Sequence, residues 1–249
     1  MSPGPQLVVL DDAGAVADYA AAHIVGRLAA KPDLVLGLPT GETPRGIYVR
    51  LAEAYRTGKV SFARASSFNL DEYRGLPPDH PASYHAYMRE MLFRHVDIDP
   101  ARAHLPDGLA SDATAEGRRY EKAIAEAGGI GLMVLGIGGN GHIGFNEPGS
   151  PFDSRTRAVR LTEATREANR RSFPEGETVP EFAITMGIAT ILDARKILLV
   201  ATGPAKAEAL AAALAGPETP QCPASVLRRH PAVTIVCDTA AAAGIRRRA

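Results

Sequence analysis

The chain has 249 residues, 45% of them hydrophobic and 22% charged, with 28 basic side chains balanced by 28 acidic ones. That length fits one large α/β domain spanning residues 1–249, and nothing in the composition demands a second. The even charge excludes the basic excess of a nucleic-acid or membrane-surface protein, so neither partner is expected. Only Cys222 and Cys237 occur, too few for a disulfide scaffold in a chain able to build its own core. The N-terminal stretch carries Asp11, Asp12 and Asp18 without the basic-then-apolar order of a signal peptide. No apolar run reaches the length of a membrane span, so a soluble cytoplasmic protein is expected. Arg246-Arg247-Arg248 reads as a solvated tail.

Strand-like apolar runs alternate with helical patterns. Leu7-Val8-Val9-Leu10 precedes an alanine-rich helix over 13–30, and Leu34-Val35-Leu36-Gly37-Leu38 precedes a helix starting near Pro44. Ser67-Phe68-Asn69-Leu70 is a strand that leads through a polar loop into a helix over 83–93. A helix over 112–127 comes before the strand that runs from Leu132 to Ile137. Ile197–Ala201 and Val233–Cys237 are further buried strands, each with a helix after it. Near-continuous Val/Leu/Ile strands followed by helices indicate a mostly parallel sheet covered on both faces. The stretch from Gly149 to Pro180 is irregular, with Pro151, Pro174, Gly176 and Pro180 around a short helical piece, and it reads as a lid over about 150–181.

Four segments carry chemistry. Gly37-Leu38-Pro39-Thr40-Gly41-Glu42-Thr43-Pro44-Arg45 follows a strand and opens a helix, with Thr43 expected as the cap and Pro44 as the first helical residue. Its glycines let backbone N–H groups approach an anion, and the helix start adds a positive dipole end. A carboxylate about 5 Å from a phosphate costs on the order of 3 kcal/mol at an effective dielectric of 20, so Glu42 must point away or pair with Arg45. The second segment, Asn69-Leu70-Asp71-Glu72-Tyr73, places two adjacent carboxylates at a strand end, where only one faces a cleft while the pleat persists. A carboxylate there suits proton transfer. The third, Asn140-Gly141-His142-Ile143-Gly144-Phe145-Asn146-Glu147, hangs a histidine on the carboxyl end of a buried strand, with a carboxylate five residues on to orient it. A metal held by His142, Glu147 and His80 or His85 is not expected, because no paired His/Cys spacing is present. The fourth is cationic: Arg155, Arg157 and Arg171 in the lid stretch, and Lys206 after Val200-Ala201-Thr202-Gly203, suit the neutralisation of a phosphate.

Phe68-Asn69-Leu70-Asp71-Glu72-Tyr73, His80-Pro81-Ala82-Ser83-Tyr84 and Gly141-His142-Ile143-Gly144-Phe145-Asn146-Glu147-Pro148-Gly149-Ser150 resemble the glucosamine-6-phosphate deaminase family. Ser154-Arg155-Thr156-Arg157 and Leu192-Asp193-Ala194 extend a resemblance that covers nearly the whole chain. The resemblance implies a Rossmann-like α/β fold, no cofactor, and conversion of glucosamine 6-phosphate to fructose 6-phosphate and ammonia in amino-sugar catabolism. By the same resemblance, Asp71 moves a proton between C2 and C1, and His142 opens the sugar ring with Glu147 tuning it and Asn140 beside it. The phosphate then rests on Thr40, Gly41, Thr43 and Lys206, with Arg171 helping from the lid.

Two positions depart from the family pattern. Many relatives carry Asp where this chain has Asn140, and others carry Asn. Asparagine accepts a bond from the imidazole but supplies no charge, so Asn140→Asp is expected to raise the upper limb of the pH–rate profile. Relatives usually have glycine or a small polar residue where Glu42 stands. Pro151 and Val159 replace polar or basic groups that serve a second phosphate site in allosteric, hexameric relatives, and the C-terminus is short. The expectation is an unregulated monomer or small homo-oligomer. A 6-phosphogluconolactonase is expected to follow its Gly-His loop with a Ser/Leu-Phe-Pro type run, whereas this chain has Phe145-Asn146-Glu147-Pro148. A sugar-phosphate sensor would carry a DNA-binding domain, for which there is no room before Leu34.

Overall fold

A computed structural model describes residues 4–246. Arg247 and Arg248, two-thirds of the basic triplet, lie outside the described residues. In chain order the elements are β1 (Gln6–Leu10), α1 (Ala13–Ala30), β2 (Val35–Leu38), α2 (Glu42–Arg56), β3 (Ser66–Asn69), β4 (Asp71–Tyr73), α3 (Tyr84–Met91), β5 (Ala103–His104) and α4 (Ala113–Glu126). They continue with β6 (Leu132–Leu135), β7 (Arg157–Arg160), α5 (Glu163–Asn169), β8 (Phe182–Thr185), α6 (Ile188–Leu192), β9 (Ile197–Ala201), α7 (Ala207–Ala215), β10 (Val233–Asp238) and α8 (Thr239–Arg246). Side-chain caps start several helices as their sequences dictate. Asp12 accepts from the Ala15 N–H at 2.8 Å, Ser83 from Ala86 at 3.0 Å and Asp112 from Thr114 at 2.8 Å.

Seven strands form one parallel sheet in the order β1-β10-β9-β6-β2-β3-β5. This is the expected α/β sheet with helices on both faces. Strand side chains alternate between two cores. Leu36, Leu38, Leu132, Val134, Leu198 and Val200 pack with α1, α2 and α3 on one face. Met133, Leu135, Ile197, Leu199 and Ala201 pack with α4, α6, α7 and α8 on the other. No helix among the described residues is long and apolar enough to cross a membrane.

Strand order fixes where a ligand sits. From β2 the chain steps outward to β3 and β5, then returns to place β6 on the other side of β2 and continues to β9 and β10. The turns after β2 and β6 therefore diverge, leaving a crevice at the carboxyl ends of the two central strands.

Two expectations are corrected. Asp71-Glu72-Tyr73 is not part of a polar loop but β4, which leaves the main sheet and pairs antiparallel with β8, Asp71 opposite Thr185. The stretch over 149–180 is less irregular than its proline content suggests, because β7 pairs with the other edge of β8. This small β4-β8-β7 sheet rests on its own apolar cluster of Tyr73, Phe145, Leu161, Phe173, Val179 and Ala183. Both corrections share one cause: the pairing residues are far apart in the chain, so local polarity misreads them. The base of the stretch is held by Glu121 Oε1, which accepts from the Thr156 N–H at 2.8 Å and from the Thr156 and Thr190 hydroxyls, each at 2.5 Å.

Candidate active site

The crevice opens into a cavity of about 860 Å³ between the β2 and β6 turns. Thr40, Gly41 and Thr43 line it from the first turn, and Asn140 and His142 from the second. Asp71, Arg171 and Lys206 complete the wall. Residues separated by up to 166 positions (Thr40 to Lys206) thus share one cavity. Glu147 is not on the wall. It stands behind His142, with its Oε2 3.5 Å from the ring Nδ1.

The β2 turn is shaped for an anion. Gly41 has φ 116° and ψ −172°, a conformation open to glycine, and it starts α2 two residues earlier than expected. Thr43 is therefore inside the helix rather than its cap. Its hydroxyl lies 3.3 Å from that of Thr202 at the end of β9, and both line the cavity. Two tyrosines hold the loop carbonyls from outside: Tyr87 donates to the Gly41 carbonyl at 2.6 Å and Tyr48 to that of Pro39. Tying back the carbonyls leaves the N–H groups of the α2 start for a ligand. Glu42 does what electrostatics requires, pairing with Arg45 at 3.2 Å on the exposed side. Lys206 closes the far wall from a short 3-10 turn, and burial pushes its ammonium below the usual lysine range. Among the described residues no carboxylate pairs with it. Arg155 and Arg157 are not on the wall: Arg155 pairs with Asp193, and Arg157 donates to Asn146 Oδ1 at 2.9 Å.

Asp71 and Glu72 divide as the pleat demands. Glu72 is 1% exposed and turns away from the cavity, accepting from the N–H groups of Tyr73, Tyr84 and His85 and from the His85 ring. It anchors the start of α3, which carries Tyr84 and Tyr87. Asp71 is only 6% exposed and faces the cavity. Burial first, and the neighbouring Glu72 charge second, raise its carboxyl to about 8, with no donor among the described residues to offset them. A carboxyl tuned near neutrality beside a cavity is suited to take and return a proton.

His142 is held by its loop. Its N–H donates to Asn140 Oδ1 at 3.2 Å, and its carbonyl accepts from Gly138 at 2.9 Å. The ring lies against Gly138, where any Cβ would come within 2.2 Å of it, so only glycine fits. Asn140 does not accept from the imidazole, contrary to expectation. Its amide instead donates to Glu147 Oε2 at 2.8 Å. Asn140 and His142 thus meet on the same carboxylate. Burial opposes ionisation of Glu147, yet His142, Thr165 and Asn140 together bring its carboxyl down to about 2. The result is a firmly ionised carboxylate behind an imidazole that borders the cavity. His80 and His85 take other partners, Glu177 and Glu72, each at 2.8 Å.

A profile of the family described as glucosamine-6-phosphate isomerases/6-phosphogluconolactonase matches residues 11–236. The chain belongs to this family. It is 53% identical to the glucosamine-6-phosphate deaminase of Rhodopirellula baltica over 98% of this chain and 97% of that protein. It is 52% identical to the one of Cellvibrio japonicus over 95% and 90%. A solved structure described as a monomeric glucosamine-6-phosphate deaminase superposes with a TM-score of 0.93 at 45% identity, over 96% of this chain and 99% of that one. The 6-phosphogluconolactonase of Trypanosoma cruzi shares the fold, with a TM-score of 0.79 at 24% identity over 98% of each chain.

Several residues of the site lie outside the four chemistry-bearing segments of the sequence or carry no local signal. Thr162 and Thr165 bond Glu147 from α5, and only the Thr162 cap had a local signal, a hydroxyl residue just before a helical stretch. Thr202 was readable as the residue between a strand end and Gly203. Tyr48 and Tyr87 leave no trace, since their bonds run to backbone carbonyls on another part of the chain.

Proposed function

We propose that this chain is a glucosamine-6-phosphate deaminase, converting glucosamine 6-phosphate and water to fructose 6-phosphate and ammonia. The observation that carries the reading is the pairing, in one cavity, of a desolvated carboxyl and a carboxylate-backed histidine with an anion-binding helix start and an unpaired lysine. The close relatives named for this activity support it.

Each residue type matches a step. The phosphate dianion binds the N–H groups of the α2 start with the hydroxyls of Thr40 and Thr43, and Lys206 and Arg171 neutralise it. His142 takes the proton of the anomeric hydroxyl and returns one to the ring oxygen, opening the sugar, while Glu147 stabilises the charged imidazole and Asn140 holds Glu147. Asp71 removes the C2 proton and delivers it to C1 through an enolamine intermediate, while the substrate ammonium gives up a proton to the C1 oxygen, leaving a protonated imine at C2. Water adds to that imine and ammonia departs, which balances the reaction. The 150–181 segment, which contributes Arg171 to the wall, acts as a lid. Phe145-Asn146-Glu147-Pro148, with Glu147 committed to His142, favours this reaction over lactone hydrolysis.

The reaction belongs to amino-sugar catabolism in the cytoplasm. Two free, buried cysteines agree with a reducing compartment. The working unit is a monomer or small homo-oligomer.

The test is ammonia release from glucosamine 6-phosphate, with fructose 6-phosphate formed in equal amount and galactosamine 6-phosphate run in parallel. Ammonia from the glucosamine ester is expected. Its absence from both sugars would refute the assignment.

A further inference from the structure

Glu147 holds His142, but something must hold Glu147. Its two oxygens divide their partners. Oε2 takes the Asn140 amide and the His142 ring, both from its own loop. Oε1 takes hydroxyls from α5: Thr165 Oγ1 donates to it, and Thr162 Oγ1 lies 3.3 Å away. The two threonines are themselves joined. Thr162 caps the helix by accepting from the Thr165 N–H at 3.2 Å, and its hydroxyl lies 3.1 Å from that of Thr165.

The same helix forms cavity wall. Ala164, Thr165, Ala168 and Asn169 line the cavity, and Arg171 follows two residues after the helix end. Thr165 is 7% exposed, so its hydroxyl has little water to turn to if the carboxylate is lost. One oxygen of Glu147 therefore reads the position of the substrate-facing α5, and the other sets the histidine.

Resting on the deaminase reading, we infer that Thr165 is a positioning residue, coupling the seating of α5 over the cavity to the orientation of His142 through Glu147. A helix seated over bound substrate keeps the hydroxyl on Oε1 and so keeps Oε2 facing the imidazole. A helix swung away releases the carboxylate, and the ring loses its orienting partner. Ring opening is then favoured only when the cavity is covered.

Thr165→Val keeps the shape of the side chain and removes the hydroxyl. It is expected to lower kcat between about 10- and 100-fold, the scale of a displaced catalytic group, with KM within about twofold of the unsubstituted enzyme. Thr165→Ser restores the hydroxyl and most of kcat. Because Thr165 acts through Glu147, the loss in Glu147→Gln/Thr165→Val does not exceed that of Glu147→Gln alone. Three results would each overturn the coupling: an unchanged kcat in Thr165→Val, a serine variant as impaired as valine, or losses that multiply in the double variant. Where the valine variant does not fold, Thr165→Ala carries the same readings. Ammonia release by the unsubstituted enzyme is measured first. Its absence removes the deaminase reading and the coupling together, whereas an active enzyme indifferent to Thr165→Val removes the coupling alone.

Discussion

Asp71→Asn is expected to lower kcat between about 100- and 10,000-fold, the range lost with a general base, while KM for glucosamine 6-phosphate changes little. The same substitution is expected to stabilise the protein at alkaline pH. Asp71 is held near 8 in the fold against 3.8 for a free aspartate side chain, mainly by burial and then by Glu72. The folded state therefore binds more protons than the unfolded one between these values, and stability falls as pH rises through that window. At 1.36 kcal/mol per unit, the shift bounds the penalty at about 6 kcal/mol. Asparagine carries no charge, so thermal midpoints of the variant exceed those of the unsubstituted protein above about pH 8 and converge with them below about pH 4. Activity follows the same titration in reverse. The base works ionised, so kcat/KM rises with pH and levels off above about 8. The limb in kcat lies lower, because a cationic amino group beside the carboxyl favours its ionised form. A kcat/KM flat between about pH 6 and 9 would exclude Asp71 as the base.

Lys206→Met is expected to raise KM about 100-fold and to weaken inhibition by inorganic phosphate to the same degree. A phosphate oxygen about 3 Å from an ammonium gains about 5 kcal/mol per charge at an effective dielectric of 20. Desolvation and the remaining donors, the α2 start and Arg171, reduce the net loss to about 3 kcal/mol, or about two powers of ten. Without ligand, methionine stabilises. Burial holds the Lys206 ammonium below the ordinary lysine range, so the fold binds fewer protons than the unfolded chain just below that range. The penalty is fully present at neutral pH and disappears only as pH rises through the unfolded lysine value. Thermal melts therefore show a higher midpoint for the variant in phosphate-free buffer at neutral pH, and a smaller rise on adding phosphate. An unchanged KM would place the phosphate elsewhere in the cavity.

Both substitutions give up function and gain stability in the same way, since each removes a charge that the cavity desolvates. Asn140→Asp now has a different physical meaning from the one its neighbour His142 suggests. The new carboxylate would face Glu147, to which the Asn140 amide donates at 2.8 Å, rather than the ring. Two carboxylates at that distance repel, and the asparagine avoids this while still fixing Glu147.

Local sequence was enough for most of the frame. The runs ending at Leu38, Leu135, Ala201 and Cys237 are apolar at nearly every position because both faces of a parallel strand are buried. Caps at Asp12, Ser83 and Asp112 announce their helices because one side-chain oxygen meets an N–H only two or three residues away. The glycine-bearing turns after β2 and β6 could likewise be read as ligand-facing, since strand and turn are contiguous.

Tertiary structure alone decided what those turns do together. Asp71 is a buried strand residue because β4 finds β8 more than a hundred positions later, a pairing with no local period. The same distance hides the partners of Glu147: whether a carboxylate near a histidine is solvated, bonded by α5 or exposed on the wall depends on how the 150–181 segment folds back. Short-range signals report which groups a segment offers. Desolvation and the donors that tune those groups come from chain segments far away in sequence, and only the folded arrangement brings them within reach.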